Sequence, residues 1–280
     1  MNKKIIFLDV DGTLIDYEAK LPASAKKAVE LARKNGHRVY LCTGCSKAEL
    51  AQRELPEVDG LIGGNGAYVE DDGQVIMHQK LSLTEVTKIV DWVNFRKRGM
   101  YLETNVGMFC NEAFLTQAGK AMEKYALGKG FEPKAAADFA TKFLSGYLPA
   151  YGKDLYRSDV NKIDFILSAY QDFLDAKKDF PTLETNTWGG KGEEALFGDF
   201  GPAGITKKHA IDILLKRLNE NKEDTIAFGD AKIDISMFEL CGFSVAMGSG
   251  GKECKEAADY ITDNVDNDGL WKAFKYLKLI

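Results

Sequence analysis

The chain has 280 residues, of which 45% are hydrophobic and 28% are charged, so it can bury the core of one large domain or two modest ones. Its net charge of −5 disfavours nucleic acid or an anionic membrane as a partner, but an anionic small molecule is compatible with it, since a metal ion and helix N-termini reverse the field locally. No apolar stretch has the length of a membrane-spanning helix. The 5 cysteines are an odd number and their spacing does not match a small disulfide framework, so we expect a cytoplasmic protein.

The amino-terminal part of the chain alternates apolar strands with helices. Residues 5–8 are predicted as a strand that ends at an acidic stretch. Ser24 is expected to cap the following helix, and residues 39–42 are predicted as a second strand. Ser46 and Glu49 have the spacing of a capping box at the start of the next helix. Continuous apolar strands separated by helices are typical of a parallel sheet with both faces covered.

Residues 83–189 show a different pattern, which predicts an α+β domain inserted into the α/β core. Ser82 begins another capping box in front of a helix. A strand is predicted over residues 162–167, where apolar and polar residues alternate as expected for a sheet with one wetter face. The core is then expected to comprise residues 1–82 and 190–280.

The strand and helix pattern returns in the carboxy-terminal part. Thr206 is expected to open a helix, and residues 225–228 are predicted as a strand that ends at Gly229 and Asp230. A further strand is predicted over residues 243–247. The predicted fold class is therefore α/β, with a Rossmann-like parallel-sheet core and an inserted α+β cap domain.

Polar residues follow the predicted strand ends or begin the next helix, at the edge where a parallel sheet places its reactive groups. Each one alone is compatible with a turn, a cap or a solvated charge. Together they supply a carboxylate nucleophile, a carboxylate that can move protons, hydroxyl and amide donors, a cation and carboxylates for a metal ion. These residues are Asp9, Asp11, Thr43, Gly44, Lys207, Asp230 and Asp234.

These residues lie in motifs that resemble those of a known family. The chain resembles the haloacid dehalogenase-like hydrolases, and specifically the Cof-type phosphatases, which carry a large cap between the second and third motifs. The resemblance extends over essentially the whole chain. The motifs are Asp9-Val10-Asp11-Gly12-Thr13, Thr43-Gly44, Gly204-Ile205-Thr206-Lys207-Lys208, and Gly229-Asp230 followed by Asp234-Ile235-Ser236-Met237.

The resemblance implies a role for each residue in the transfer of a phosphoryl group. Asp9 would attack the substrate phosphorus and form an aspartyl-phosphate. Asp11 would protonate the leaving alcohol and then activate water. The oxygens of the transferring phosphoryl group would be bound by Thr43, the Gly44 amide and Lys207, where negative charge accumulates.

The resemblance also implies a bound Mg²⁺ ion. Asp9 and Asp230 would bind it through their carboxylates, and Asp11 through its backbone carbonyl. Asp234 would hold a metal-bound water or support the other ligands. Such a set consists of oxygen atoms alone, which is the ligation that magnesium requires.

Two positions depart from the family pattern. The family often has arginine after Thr-Gly, where this chain has Cys45, and it usually has asparagine where this chain has Ile233. The first change removes a potential anion contact, and the second removes an amide that supports the ligands. Cys42 and Cys45 also form a Cys-x-x-Cys motif, which is compatible with redox chemistry, although a buried strand residue is the stronger interpretation of Cys42.

The sequence therefore predicts a Mg²⁺-dependent phosphatase that hydrolyses a small phosphorylated metabolite. Sugar phosphates are the first expectation for the substrate, and pyridoxal phosphate and flavin mononucleotide are ranked after them. Two alternatives stay open: a ligand-binding protein with weak or no catalysis, and a phosphotransferase that passes phosphate to a second sugar. Neither nucleic acid nor a membrane is expected as a partner.

Overall fold

The computed structural model of the protein describes residues 3–190 and 194–280. The strands are β1 (Ile5–Leu8), β2 (Arg38–Cys42), β3 (Gly60–Gly63), β4 (Tyr68–Asp71), β5 (Gln74–His78), β6 (Met100–Thr104), β7 (Met108–Cys110), β8 (Leu148–Pro149), β9 (Val160–Ile166), β10 (Glu184–Trp188), β11 (Phe197–Gly201), β12 (Thr225–Gly229), β13 (Phe243–Ala246) and β14 (Tyr260–Ile261). The helices are α1 (Ala23–Lys34), α2 (Lys47–Leu50), α3 (Leu83–Phe95), α4 (Glu112–Gly128), α5 (Pro133–Leu144), α6 (Tyr170–Asp179), α7 (Lys207–Leu218), α8 (Ile235–Phe238), α9 (Lys252–Ala257) and α10 (Gly269–Tyr276). None of the helices in these described ranges is long and apolar enough to cross a membrane.

The chain forms two compact units, each with its own sheet. The first unit consists of residues 1–45, 53–78 and 206–280. The second consists of residues 46–52 and 79–205. The sheet of the first unit therefore contains strands that precede residues 79–205 in the sequence and strands that follow them.

The first unit contains an eight-stranded sheet in the order β14-β13-β12-β1-β2-β3-β4-β5. Neighbouring strands are parallel from β14 to β3, and β4 and β5 extend the sheet in antiparallel fashion. All residues of β1 are buried, and Ile5 and Phe7 belong to the same hydrophobic cluster as Ile211 and Leu214 of α7. The parallel-sheet core that the continuous apolar runs predicted is thereby confirmed.

Two helices of the first unit show where local sequence signals succeed and fail. Thr206 caps α7, and its hydroxyl oxygen accepts a hydrogen bond from the backbone N–H of His209 at 3.2 Å, as predicted. The expected cap at Ser24 is wrong, because α1 already begins at Ala23, directly after Pro22. Proline has a fixed φ and no N–H, so it turns the chain into the helix two residues earlier than a cap at Ser24 would. The Ser24 hydroxyl is buried without a hydrogen-bond partner among the described residues.

The second unit contains a six-stranded sheet in the order β10-β11-β9-β6-β7-β8. Its neighbouring strands are antiparallel except for the parallel pair of β7 and β8. The unit extends beyond the predicted range 83–189 at its carboxy-terminal end, because β11 is hydrogen-bonded to both β9 and β10. The expected boundary at residue 190 adjoins residues 191–193, which lie outside the described residues.

The prediction of one wetter face along β9 is wrong, since every residue of this strand is buried. Ile163 and Phe165 pack on one side with Val90 of α3. On the other side, Ile166 belongs to a cluster with Phe114 of α4 and further residues of α4 and α5. Helices α4 and α5 cover the face of β9 that was predicted to be exposed to solvent, so the polar residues of this strand are buried.

Candidate active site

Two neighbouring parallel strands of the first unit end at the same level. In the sheet, Leu8 of β1 lies beside Phe228 of β12. Asp9 follows directly, and its backbone N–H donates to the carbonyl of Phe228 at 3.0 Å. Asp230 follows the end of β12. The side chains of Asp9 and Asp230 therefore leave the sheet at its carboxyl edge, where an open α/β sheet binds its ligands.

A cluster of buried charges lies at this edge. Carboxylate oxygens of Asp9, Asp230 and Asp234 lie within 4.8 Å of one another. The ammonium group of Lys207 donates to Asp9 Oδ1 at 2.7 Å and to Asp234 Oδ1 at 2.6 Å. The exposed fractions of Asp9 and Asp230 are 7% and 5%, and those of Asp234 and Lys207 are 0% and 1%. The cluster thus contains three carboxyl groups and one buried cation, which contacts two of them, and this arrangement favours a further positive charge.

The pKa values in this cluster follow from burial and from the neighbouring charges. Burial raises the pKa of Asp9 well above its usual value, Asp234 adds to this effect, and the opposing influence of Lys207 does not cancel it. Burial acts to lower the pKa of Lys207, but the carboxylates of Asp234 and Asp9 outweigh it and the lysine pKa lies well above its usual value. Lys207 is therefore held as a cation.

Short local contacts orient the other two acids of the cluster. Asp234 Oδ2 accepts hydrogen bonds from the backbone N–H groups of Asp230 at 3.0 Å and Ala231 at 2.9 Å. The Asp230 carboxylate accepts one from the Thr13 hydroxyl at 3.3 Å and another from the Tyr17 hydroxyl. Both acids are thus fixed by groups of the first unit before any ligand is bound.

Two glycines permit close approach of side chains at this edge. Gly12 has a φ of +85°, and a Cβ atom there would lie 2.6 Å from Asp230 Oδ2 and from the Tyr17 hydroxyl. A Cβ atom at Gly44 would lie 2.9 Å from Asn65 Oδ1. Larger residues at either position would displace side chains that line the strand ends.

Asp11 lies in a different set of contacts from the buried cluster. Its side chain is 41% exposed, and Arg53 Nη1 lies 2.8 Å from each of its carboxylate oxygens. The Cys45 thiol donates to Asp11 Oδ2 at 3.4 Å. The guanidinium that the family pattern often has at position 45 is absent there, but another one reaches Asp11 from position 53.

Thr43 and its neighbours form the end of β2. Thr43 is buried, its backbone N–H donates to the carbonyl of Ile62 at 2.9 Å, and its hydroxyl oxygen accepts from the N–H of Cys45 at 3.1 Å. Burial raises the pKa of the Cys42 thiol, which disfavours the thiolate that redox chemistry requires.

The structure brings some of the predicted residues into direct contact and places others beside them. The contacting set is Asp9, Asp234 and Lys207, with Asp230 in the same carboxylate cluster. Asp11, Thr43 and Gly44 follow the ends of β1 and β2. Sequence reasoning missed Tyr17, Arg53 and Asn65, because none belongs to a motif, and only the missing arginine at position 45 gave a reason to look for another guanidinium nearby.

The sequence matches the haloacid dehalogenase-like hydrolase family over residues 6–274, and the chain belongs to this family. The family and fold inferred from the motifs are thereby confirmed. The protein is a phosphatase, a hydrolase of phosphoric monoesters.

Individual relatives are similar along their whole length. The YkrA protein of Bacillus subtilis (strain 168) is 28% identical over 282 residues, which is 100% of each chain. A phosphatase of that organism, YwpJ, is 25% identical and covers 98% of this chain and 99% of its own. Another, the 5-amino-6-(5-phospho-D-ribitylamino)uracil phosphatase YcsE, is 26% identical and covers 98% and 95%.

Solved structures show the same fold. A sugar phosphatase of haloacid dehalogenase subclass IIB has a TM-score of 0.78 at 25% identity and covers 99% of this chain and 100% of its own. A protein from Geobacillus kaustophilus HTA426 has a TM-score of 0.79 at 25% identity and covers 100% of both chains. These similarities extend over both units of the chain.

Proposed function

We propose that the protein is a Mg²⁺-dependent phosphatase that hydrolyses a small phosphorylated metabolite, most readily a sugar phosphate, through an aspartyl-phosphate on Asp9. The observation that carries this proposal is the buried cluster of Asp9, Asp230 and Asp234, in which the Lys207 ammonium contacts Asp9 and Asp234. A buried carboxylate next to a fixed cation, with further carboxylates that can bind a metal ion, is suited to attack at phosphorus.

The reaction would proceed in two displacements at phosphorus. A carboxylate oxygen of Asp9 forms a bond to phosphorus while the bond to the ester oxygen breaks, and Asp11 gives its proton to that oxygen. In the second step Asp11 takes a proton from water, the water oxygen bonds to phosphorus, and the Asp9 carboxylate leaves. The products are the free alcohol and inorganic phosphate, and both aspartates return to their starting state.

The residues at the carboxyl edge fit a hard divalent cation. The carboxylates of Asp9 and Asp230 and the backbone carbonyl of Asp11 would hold it, and Asp234 would support a water ligand. When bound, Mg²⁺ would offset negative charge on the phosphoryl group and on the attacking carboxylate. The cluster already favours an added positive charge, because burial and Asp234 raise the pKa of Asp9 despite Lys207.

The transferring phosphoryl group would be held by residues at two strand ends and one helix start. Lys207 supplies a fixed cation at the first turn of α7. Thr43 supplies a hydroxyl and Gly44 a backbone N–H after β2. Donors that are already oriented stabilise the charge that accumulates on phosphoryl oxygens without reorganisation.

The names of the relatives support small organic phosphates as substrates. One solved relative is named a sugar phosphatase, and a curated one acts on a phosphorylated ribitylamino compound. We propose that the second unit sets the choice among such compounds. We also propose a cytoplasmic location, since 5 cysteines are an odd number and their spacing does not match a small disulfide framework.

The test is release of inorganic phosphate from a panel of sugar phosphates, pyridoxal phosphate, flavin mononucleotide and 4-nitrophenyl phosphate. We expect turnover with Mg²⁺ and its loss with a chelator. Transfer of phosphate to an added sugar instead of water would show a phosphotransferase. Tight binding without any turnover would contradict the proposal and favour a ligand-binding role.

A further inference from the structure

The loop that follows Asp11 places a tyrosine against one of the candidate metal ligands. The Tyr17 hydroxyl donates to Asp230 Oδ2, and the Thr13 hydroxyl donates to Asp230 Oδ1 at 3.3 Å. Each oxygen of this carboxylate thus accepts a hydrogen bond from a hydroxyl group of the same short segment of the chain. A hydroxyl that donates to an ionised carboxylate forms a charge-assisted hydrogen bond, which is stronger than a bond between neutral partners.

The backbone of Asp230 is fixed independently of this tyrosine. Its N–H donates to Asp234 Oδ2 at 3.0 Å, and its carbonyl accepts from the N–H of Gly251 at 2.9 Å. The Asp230 side chain can still rotate about its own single bonds, and a hydrogen bond such as that from Tyr17 limits this rotation. Loss of the Tyr17 hydroxyl should therefore change the orientation of the carboxylate without moving the strand end that carries it.

Asp16 closes the loop that presents the tyrosine. Asp16 Oδ1 accepts hydrogen bonds from the backbone N–H groups of Glu18 at 2.9 Å and Lys20 at 2.8 Å. The Asp16 N–H donates in turn to the carbonyl of Lys20 at 3.0 Å. An aspartate that binds the backbone a few residues further on stabilises a tight turn. Tyr17, which is half-buried, is therefore held by its own loop before any ligand binds.

Glycine at position 12 leaves room for the contact between the hydroxyl and the carboxylate. A Cβ atom on Gly12 would lie 2.6 Å from both the Tyr17 hydroxyl and Asp230 Oδ2. The two groups therefore meet directly over the backbone of the first motif. The carbonyl group that precedes Gly12 is that of Asp11, which we propose as a ligand of the same ion, so the contact lies beside two of the proposed ligands.

We infer that Tyr17, held by the loop that Asp16 closes, is a positioning residue for the Mg²⁺ ion, and that its hydroxyl keeps the Asp230 carboxylate in the orientation that binds the ion. This inference rests on the proposed function and adds a residue to its metal site. A carboxylate oxygen has two lone pairs, so a hydroxyl can use one and leave the other for a cation. Groups that donate to metal ligands orient them, and their removal typically weakens metal binding roughly tenfold to a hundredfold.

The experiment measures Mg²⁺ binding to the substrate-free chain by isothermal titration calorimetry after treatment with a chelator. Tyr17→Phe keeps the ring and removes only the hydroxyl, and we expect it to raise the Kd for Mg²⁺ roughly tenfold. Tyr276→Phe removes a hydroxyl from a side chain of the same unit that is 61% exposed, and this matched control should keep the wild-type Kd. The Mg²⁺ concentration for half-maximal phosphate release from 4-nitrophenyl phosphate should shift by the same factor as the Kd.

A second variant tests whether the loop acts through the tyrosine. Asp16→Ala removes the acceptor that closes residues 16–20 and leaves the Tyr17 hydroxyl on a looser loop. We expect Asp16→Ala to raise the Kd for Mg²⁺ roughly threefold in the wild-type background and by less than about 1.5-fold in Tyr17→Phe, because without the hydroxyl the loop has nothing to position. Equal effects of Asp16→Ala in the two backgrounds would overturn the part of the inference that concerns the loop.

An unchanged or lower Kd for Mg²⁺ in Tyr17→Phe would overturn the inference. A lower unfolding midpoint of this variant in chelator, together with an unchanged Kd, would show a purely structural role and overturn it as well. Mg²⁺ binding by a wild type that hydrolyses no phosphate would refute the proposed phosphatase activity, and the comparison of the Kd values would still decide the inference. Absence of Mg²⁺ binding by the wild type would refute the proposed metal dependence and this inference with it.

Discussion

Lys207 is the residue that stabilises the buried carboxylates of the first unit by pairing with two of them. Its ammonium group contacts Asp9 and Asp234 and is itself fully buried. We expect Lys207→Met to lower the free energy of unfolding by about 3 kcal/mol in chelator-treated protein, because it leaves buried carboxylates without their cation. Chemical denaturation measures this change. Lys208→Met is the matched control: Lys208 is exposed and pairs with Glu239 at the surface, so a loss above about 1 kcal/mol there would be unexpected.

Arg53 is the residue that we expect to position Asp11. Its guanidinium lies 2.8 Å from both carboxylate oxygens and fixes the orientation in which Asp11 can pass a proton. We predict that Arg53→Gln lowers kcat roughly tenfold to a hundredfold with a smaller effect on KM, because misplacement of a catalytic group slows the chemical step. Arg53→Lys should recover part of the loss. Steady-state kinetics on 4-nitrophenyl phosphate measures both, and unchanged kcat in Arg53→Gln would exclude this role.

At the residue scale, the sequence identifies the acids and the lysine but not their surroundings. Asp9 and Asp230 could be found because each ends a continuous apolar strand, and Lys207 because it follows a helix cap. Arg53 and Tyr17 could not, since their contacts depend on how loops fold back over the strand ends. No spacing rule connects a loop residue to a partner that is distant in sequence.

At the scale of elements, short signals predict helix ends well when both halves of a cap are present. Ser82 accepts from the Glu85 backbone N–H at 3.2 Å, and the Glu85 side chain accepts from the Ser82 N–H at 2.7 Å. We expect Ser82→Ala to lower the free energy of unfolding by about 1 kcal/mol. Thr87→Ala, farther along α3, should cost nothing or stabilise slightly, since alanine is the better helix former. Thermal or denaturant unfolding compares them, and equal effects would contradict the capping account.

The failed prediction for β9 has a different origin. Alternation in one strand shows which residues share a face, but it does not show what packs against that face. Helices α4 and α5 bring Phe114 and Ala140 into the hydrophobic cluster on the side predicted to be wet. The charged residues of β9 are therefore buried, and Lys162 pairs there with Glu103 and Asp164.

At the scale of the whole molecule, the sheet of the first unit was predictable because continuous apolar strands and intervening helices specify a parallel sheet. The extent of the second unit was harder to predict, since β11 joins the sheet by pairing with β9, from which it is separated in sequence by α6 and β10. Long-range strand pairing is not encoded in local composition. The family motifs helped with the first unit alone, because their functional residues follow its strand ends or begin its helices.

Metal binding should be visible in the stability of the intact chain. We predict that saturating Mg²⁺ raises the unfolding midpoint, with a gain of about 2.7 kcal/mol at a concentration one hundred times the Kd, because the ion binds only the folded carboxylate cluster. Asp230→Asn should remove most of this gain, since it removes one ligand. Asp224→Asn, which affects a carboxylate outside the cluster, should retain it. A Mg²⁺ effect of the same size in all three proteins would mean that the ion binds elsewhere.

The central claim is that Asp9 carries the phosphoryl group. The most direct measurement is the rate of phosphate release from 4-nitrophenyl phosphate with Mg²⁺ for the wild type and for Asp9→Asn, with folding checked by circular dichroism. An amide keeps the shape of the side chain but cannot form the acyl phosphate, so we predict a loss of roughly a thousandfold or more. A folded Asp9→Asn protein that retains a substantial part of the wild-type rate would contradict the claim.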